Sequence, residues 1–161
     1  EAGGATGGII GQLIFFVPLI LIFYFLLIRP ANQRQKKHRQ MIEGVAEALP
    51  LENRSVDCVV ATWTLCSVSE PEKVLAEIRR VLKPDGVFRF VEHGLAPGPR
   101  IRRWQRWLTP VCKHCAGNCH LDRPTADLIE TSGFRMERLN PGYATGPKPL
   151  VFMYEGQARL Y

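Results

Sequence analysis

The feature that most constrains this chain is an uninterrupted apolar stretch at residues 9–28, with the sequence IIGQLIFFVPLILIFYFLLI. It carries no charged side chain, and Gln12 is its only strongly polar residue. As an α-helix it would span about 30 Å, which is roughly the thickness of the hydrocarbon layer of a bilayer. A helix of a soluble core has a polar face, and this stretch has none. It therefore predicts a single transmembrane helix.

The charges on either side of this stretch predict its orientation. Glu1 is the only charged residue before it, whereas a basic cluster follows it, formed by Arg29, Arg34, Lys36, Lys37 and Arg39. A secretory signal peptide has its positive charge in front, so this order favours a membrane anchor. The positive-inside rule then predicts an N-terminus outside the inner (plasma) membrane of a bacterium and a cytoplasmic C-terminal domain. Arg29, Lys36 and Lys37 are expected to contact lipid headgroups.

Length and charge predict the organisation of the rest. The segments expected are an external tail (1–8), the transmembrane helix (9–28), a basic juxtamembrane helix (29–43) and one modest domain (44–161). The formal net charge of +6 lies largely in the cluster after residue 28 and in residues 100–106. We interpret it as lipid-facing charge, and we expect no nucleic-acid partner. The five cysteines are predicted to be reduced thiols.

The first segment carries a resemblance to a known family. Its apolar span ends in FYFLLIRP and continues into the Gln-, Arg- and Lys-rich sequence ANQRQKKHRQMIEGV. Over residues 9–45 it resembles YajC, the accessory subunit of the bacterial Sec translocon. The Gly- and Val-rich β domain of that family does not follow here. The resemblance implies a role as an accessory or interaction subunit beside other membrane proteins.

From residue 44 onward, the pattern predicts alternating strands and helices. Apart from Asp57, residues 56–62 form an apolar run rich in β-branched residues, which is typical of a strand buried on both faces. Apolar residues recur at helical spacing over 71–82, and Lys83-Pro84-Asp85-Gly86 predicts a turn before a strand at 87–91. This order predicts a parallel crossover. A short helix at 125–132 and an antiparallel pair of strands at 135–139 and 150–155 are expected to complete the domain.

This region also resembles a family. SVDCVV in the first strand and EIRRVLKPDG before the second are similar to the C-terminal half of a type 11 class I methyltransferase that depends on S-adenosylmethionine (SAM). EHGLAPGPRIRRWQRWLTPVCKHCAGNCHLDRPTADLIETSGF resembles the membrane-associated thiol methyltransferase subgroup. Over residues 44–159, the resemblance implies a partial Rossmann-like sheet with strands 4–7 present and strands 1–3 missing. The glycine turn for the cofactor is not found. The expected fold class is a single transmembrane α-helix plus this partial α/β sheet.

Two functions are compatible with these features. The main hypothesis is a single-pass membrane-anchored accessory subunit with an incomplete, non-catalytic methyltransferase-like domain. It would bind no cofactor by itself, and other membrane protein subunits would cover its open sheet edge. The alternative is a SAM-dependent methyltransferase that acts at the membrane on a small lipophilic thiol or a similar acceptor. The residues do not decide between a natural fusion of the two segments and a composite sequence joined from two different genes.

The resemblance implies candidate site residues at the carboxyl ends of two strands, where open α/β sheets bind ligands. Thr62 ends the first strand, Leu65 and Cys66 follow it, and all three would contact SAM. Glu92 and His93 follow the second strand and would be catalytic, with His93 as a general base. Instead of being catalytic, Glu92 and His93 are alternatively interpreted as a structural hydrogen-bonded pair at the end of the strand.

Two further motifs suggest binding. Cys112, Cys115, Cys119 and His120 lie close together in the sequence and offer sulfur and nitrogen ligands that suit zinc. The preferred interpretation is a loop in which these cysteines are incidental. Trp104 and Trp107 stand among arginines in IRRWQRWL. This composition is typical of a membrane-interface helix or of a lid over an apolar substrate.

Overall fold

The computed structural model describes residues 18, 22, 24–29 and 48–161. The chain divides into two compact units, Glu1–His38 and Arg39–Tyr161. In the first unit, the described backbone is helical and includes a π-helical turn at Tyr24–Ile28.

The expected fold class included a transmembrane helix, which the structure does not support. Within the part of the chain that the structure describes, no helix is long and apolar enough to cross a membrane. A span needs about 20 consecutive helical residues. The described residues of 9–28 are only Pro18, Ile22 and the π-helical turn. The remainder of 9–28 lies outside the described residues, as does the basic helix predicted at 29–43 apart from Arg29.

The second unit is an α/β domain built on a four-stranded sheet. Its elements in chain order are β1 (Val56–Thr62), α1 (Pro71–Val81), β2 (Leu82–His93), α2 (Pro99–Cys115), α3 (Thr125–Thr131), β3 (Phe134–Tyr143) and β4 (Phe152–Leu160). The strand order is β1-β2-β4-β3. β1 and β2 are parallel, whereas β4 runs antiparallel to both β2 and β3. The predicted parallel crossover and the predicted antiparallel pair are therefore confirmed.

One apolar core holds the sheet and two of its helices together. Helix α1 begins at Pro71, which suits the first helical turn, and it buries one face while its charged side chains lie on the other. The buried face supplies Val74, Leu75 and Ile78. The sheet and α3 add Phe88, Phe90, Phe134 and Ile129, among others. The core therefore fixes β2 in the middle of the domain, and its carboxyl end beside that of β1.

The predicted turn at 83–86 lies inside a longer strand. β2 begins at Leu82, directly after α1, and Leu82 pairs with Val56. The next pair is Val87 with Cys58, so the register shifts between them. The Lys-Pro-Asp-Gly sequence thus occupies an irregularity in the strand, because the extra residues of β2 have no partner on β1.

Candidate functional site

The carboxyl ends of β1 and β2 lie side by side and form one rim of the sheet. Thr62 pairs with Val91, and the Trp63 N–H donates to the Val91 carbonyl at 2.9 Å. Trp63 has a left-handed backbone conformation, with φ at 50°, and its side chain is 60% exposed. Its ring lies flat against His93, with 6.0 Å between ring centroids and 9° between planes. His93 therefore forms part of the exposed boundary of the rim.

Glu92 is buried beneath this rim and organises the loop after β1. Its carboxylate accepts the backbone N–H groups of Thr64 at 2.9 Å, Leu65 at 3.0 Å and Cys66 at 3.0 Å. Burial and the nearby Cys66 charge raise the pKa of Glu92 to about 8, against three donors that favour its ionised form. The role that these contacts show is to hold the loop in place.

Two buried cysteines and His93 form a compact cluster, called here the Cys–His cluster (Cys66, His93 and Cys119). The Nδ1 atom of His93 lies 3.9 Å from Cys66 Sγ and 3.4 Å from Cys119 Sγ. All three ligand atoms lie within 4.8 Å of one another. The hydrogen bond between the thiols lowers the pKa of Cys66 and raises that of Cys119, so Cys66 is the more readily ionised of the two. This is chemistry that suits a nucleophile or a soft metal.

Residues 118–123 hold the same loop from the other side. The His120 N–H donates to the Cys66 carbonyl at 2.7 Å, and Asn118 Nδ2 donates to the Ser67 carbonyl at 2.7 Å. The Arg123 guanidinium donates to the carbonyls of Leu65 and Val68. The loop that carries Cys66 is therefore fixed on both sides.

His120 itself contacts Arg123 and lies outside the cluster. Burial, followed by the charge of Arg123, lowers the pKa of His120 to about 4, so its ring is neutral near pH 7. Arg123 Nη2 contacts Nδ1, which must then accept, and the remaining proton lies on Nε2. In the described part of the chain, this buried Nε2 has no hydrogen-bond partner.

The four residues of the predicted zinc motif are not brought together as one ligand set. Cys112 and Cys115 lie in the last turn of α2, and the exposed Cys115 donates its thiol proton to the Val111 carbonyl at 2.9 Å. Among the described residues, the group of close potential ligands contains only Cys119 from that motif. Cys66 and His93 come instead from distant parts of the sequence.

Helix α2 presents an open aromatic and basic surface. Trp104 and Trp107 contact each other edge to face, with 5.8 Å between ring centroids, and both are exposed. With Arg100, Arg103 and Arg106 they line an open cavity of about 690 Å³. Leu108 and Cys112 of the same helix pack against Cys66 and Cys119. Helix α2 thus connects this surface with the cluster.

Gln105 is a buried positioning residue that the sequence pattern did not reveal. Its amide accepts the Ala96 N–H at 2.9 Å and donates to the Gly94 carbonyl at 3.0 Å. The residues directly after β2 are therefore held by the buried side of α2. In the sequence, Gln105 is a polar residue between two tryptophans, and this position alone does not indicate that it is buried or which backbone groups it binds.

The predicted cofactor contacts differ in their accessibility. Thr62 is exposed at the rim, whereas the side chains of Leu65 and Cys66 are fully buried. The N–H groups of those two residues bind Glu92. Residues 48–161 contain no G-x-G-x-G sequence. The described residues therefore do not include a glycine turn for the methionine end of SAM.

Comparison with known proteins identifies the type of domain. A family model described as a methyltransferase domain matches residues 26–90. The thiol S-methyltransferase TMT1B of Rattus norvegicus is 42% identical over 112 residues, which are 68% of this chain and 46% of that protein. This is a methyltransferase-type domain, related to the thiol S-methyltransferases. The chain spans about half the length of the curated relatives it matches.

Solved structures agree on the fold. A SAM-dependent methyltransferase from Methanosarcina mazei matches with a TM-score of 0.56 and 21% identity, over 71% of this chain and 64% of that one. The fold class is accordingly corrected to an α/β methyltransferase fold. The curated relatives favour the alternative, a methyltransferase, and they do not support the main hypothesis of a non-catalytic accessory subunit or the expectation that the chain binds no cofactor by itself.

The YajC-like interpretation has narrower support. The Sec translocon accessory subunit YajC of Helicobacter pylori is 48% identical over 44 residues, which are 27% of this chain and 35% of that protein. A match of this length does not show membership of that family. The location in a bacterial inner membrane and the lipid and protein partners stay predictions.

Proposed function

We propose that this domain takes part in SAM-dependent methyl transfer to the sulfur of a small lipophilic thiol. The observation that carries the proposal is the Cys–His cluster at the carboxyl ends of β1 and β2. It lies in a chain that is 42% identical over 112 residues to a thiol S-methyltransferase. Because the chain spans about half of that relative, the activity and the acceptor are both part of the proposal.

The reaction explains why the rim needs a fixed polar cluster. SAM supplies an electrophilic methyl group on its sulfonium, and the acceptor must attack as a thiolate. Among the described residues at the rim, the Cys–His cluster offers groups that would take up the proton of the acceptor thiol or stabilise the resulting thiolate. Glu92 and Arg123 fix the loop that carries Cys66. The cluster is thus held in one geometry before an acceptor arrives.

The lipophilic character of the acceptor is argued from α2. An acceptor whose thiol lies at the cluster would extend its apolar chain along this helix, since Leu108 packs on the cluster and the indoles lie on the same helix. Trp104 and Trp107 are exposed and offer apolar area for such a chain. The arginines on the same surface would not favour a cationic acceptor.

The test compares acceptors that differ in one atom. The chain is incubated with SAM and either octanethiol or octanol, and the methylated product and S-adenosylhomocysteine are measured by mass spectrometry. Methylation of the thiol and not of the alcohol is expected. Trp107→Ala should raise KM for octanethiol about fivefold and leave ethanethiol unchanged, because a lost aromatic contact of about 1 kcal/mol affects only the longer chain. Absence of any methylated thiol, together with no SAM binding in calorimetry, would contradict the proposal.

A further inference from the structure

The Cys–His cluster has the ligand types and spacing of a metal site. We propose that Cys66, His93 and Cys119 bind a zinc-type divalent metal ion. Two sulfurs and one imidazole nitrogen are ligands that zinc prefers, and the three atoms lie within 4.8 Å of one another. This set differs from the sequence motif around residues 112–120 and shares only Cys119 with it.

The distances fit a shared central ion. Zinc binds sulfur at about 2.3 Å and nitrogen at about 2.0 Å in a tetrahedron, which places a sulfur and a nitrogen ligand roughly 3.5 Å apart. The distances from Nδ1 to the two sulfurs are 3.4 Å and 3.9 Å, on either side of that value. The two thiols also hydrogen-bond each other, and Cys66 Sγ contacts the Ser67 hydroxyl at 3.5 Å, but the single Nδ1 atom has only one proton or one lone pair for both sulfurs. A central ion binds all three atoms at once.

The surrounding contacts hold the ligands in position from several chain segments. The backbone of Cys66 is bound on both sides, by Glu92 and by the N–H of His120. The His93 carbonyl accepts the Thr125 hydroxyl at 2.9 Å. Such contacts fix ligands in metal sites, and they mean that binding requires little rearrangement of the backbone. Two thiolates and a neutral imidazole also cancel the charge of a divalent ion, which makes its burial favourable.

Three protein ligands leave one position for a further ligand, as in catalytic zinc sites. This step rests on the proposed function. The acceptor thiol would bind there as a thiolate: its S–H bond breaks, a sulfur–metal bond forms and the proton leaves to solvent. A C–S bond then forms to the methyl group while the sulfonium C–S bond breaks, and that electron pair stays on the sulfur of S-adenosylhomocysteine. Of the three ligands, His93 is the one that reaches the surface.

Metal analysis of the full chain tests the site without any catalytic assay. The chain is purified from a zinc-supplemented culture, and its metal content is measured by mass spectrometry. About one zinc ion per chain is expected in the wild type. Cys66→Ser and Cys119→Ser should each lose most of it, whereas Cys115→Ser should keep it, since that thiol is exposed and outside the cluster. A metal-free wild-type chain, or a disulfide between Cys66 and Cys119, would overturn the proposal.

A second measurement uses only the wild-type chain, so that it does not depend on how well the variants fold. Cobalt in place of zinc should give thiolate charge-transfer absorption that changes when octanethiol is added. An unchanged spectrum would overturn the fourth-ligand role. A chelated, metal-free chain that methylates octanethiol at the full rate would overturn the metal role and leave the proposed function standing. A chain that binds one zinc ion but transfers no methyl group would contradict the proposed function and leave the metal site standing.

Discussion

At the scale of single residues, Glu92 shows how a carboxylate at a strand end becomes part of the architecture. Its side chain is fully buried, and three consecutive N–H groups of the loop after β1 point to its two oxygens. Such a carboxylate replaces the backbone partners that a loop lacks, which lets the loop take an irregular path. The position of Cys66 in the Cys–His cluster therefore depends on a residue that does not itself belong to that cluster.

Glu92→Gln tests this role. We expect the free energy of unfolding to fall by about 1–3 kcal/mol in urea titrations, because a glutamine NH₂ would face a backbone donor and leave it without a partner. Glu130→Gln is the control, since Glu130 is exposed on α3, and it should change the free energy by less than about 0.5 kcal/mol. Equal stability of wild type and Glu92→Gln would show that the three hydrogen bonds do not hold the loop.

The same residue predicts a pH dependence. The pKa of Glu92 is raised to about 8 in the folded chain, from its ordinary value of 4.5. Between these values the folded state holds a proton that the unfolded state has lost, so stability falls as pH rises. The contribution is fully present below the unfolded pKa and is lost as pH passes the folded one. The stability gap between wild type and Glu92→Gln should narrow from pH 5 to pH 9 in urea titrations, and a gap that widens would contradict this assignment.

The location of a site residue was predictable from the sequence where the residue lies at the end of a predicted strand. Glu92 and His93 are the last two residues of β2, so their location at the rim could be expected. The role of Glu92 and the pairing of Cys66 with Cys119 could not, because each depends on contacts between distant residues. Arg123 bonds a carbonyl 58 residues away, and no local spacing reveals that. The possible zinc ligands at 112–120 do not lie together, because neighbours in the sequence, such as the exposed Cys115 and the buried Cys119, have different surroundings in the fold.

At the scale of elements, the hydrophobic pattern located the strands and helices well. β1 has the predicted bounds, and α1 ends one residue earlier than predicted. β2 is longer than predicted because the Pro–Gly sequence at 84–86 signals a turn, whereas pairing continues around it as an irregularity. β3 extends beyond its predicted bounds at both ends, since its pairing with β4 continues through Pro141 and Gly142, whereas β4 begins two residues later and ends five residues later than predicted. Cross-strand pairing of this kind is not visible in a local window.

Two glycines in the β3–β4 pair give a matched test of packing. A methyl group on Gly156 would lie 2.4 Å from the Phe90 ring and 2.8 Å from the Arg138 carbonyl. Gly156→Ala should therefore lower the free energy of unfolding by about 1–3 kcal/mol in urea titrations. Around Gly142, no atom lies within 4 Å of an added methyl group, so Gly142→Ala should be neutral or slightly stabilising. Similar losses in both variants would contradict this packing argument.

At the scale of the whole molecule, β1 forms an open edge of the described sheet. In the described sheet, β1 pairs with β2 on one side and stands at the end of the strand order. Val60 is 64% exposed there, and Cys58 is exposed beside it. An exposed apolar edge strand favours pairing with another chain. The sequence predicted a strand buried on both faces, because it shows the apolar run but not which neighbours cover it.

Val60→Lys tests this edge. We expect the wild-type chain to associate as its concentration rises, and Val60→Lys to reduce that association, since a charged side chain on an edge strand opposes pairing. Light scattering after size-exclusion chromatography measures the mean mass. Val111→Lys is the control, because it places the same charge at an exposed valine on α2. Equal association of all three proteins would exclude this edge as the contact.

The flat contact between Trp63 and His93 provides the rim with an optical reporter. The chain has three tryptophans, and the other two contact each other on α2, well separated in sequence from Trp63. With Trp104 and Trp107 replaced by phenylalanine, the remaining fluorescence arises from the indole that lies on His93. Its emission is then expected to change when a metal ion or an acceptor binds beside that imidazole, which makes binding at the rim readable in real time without any label.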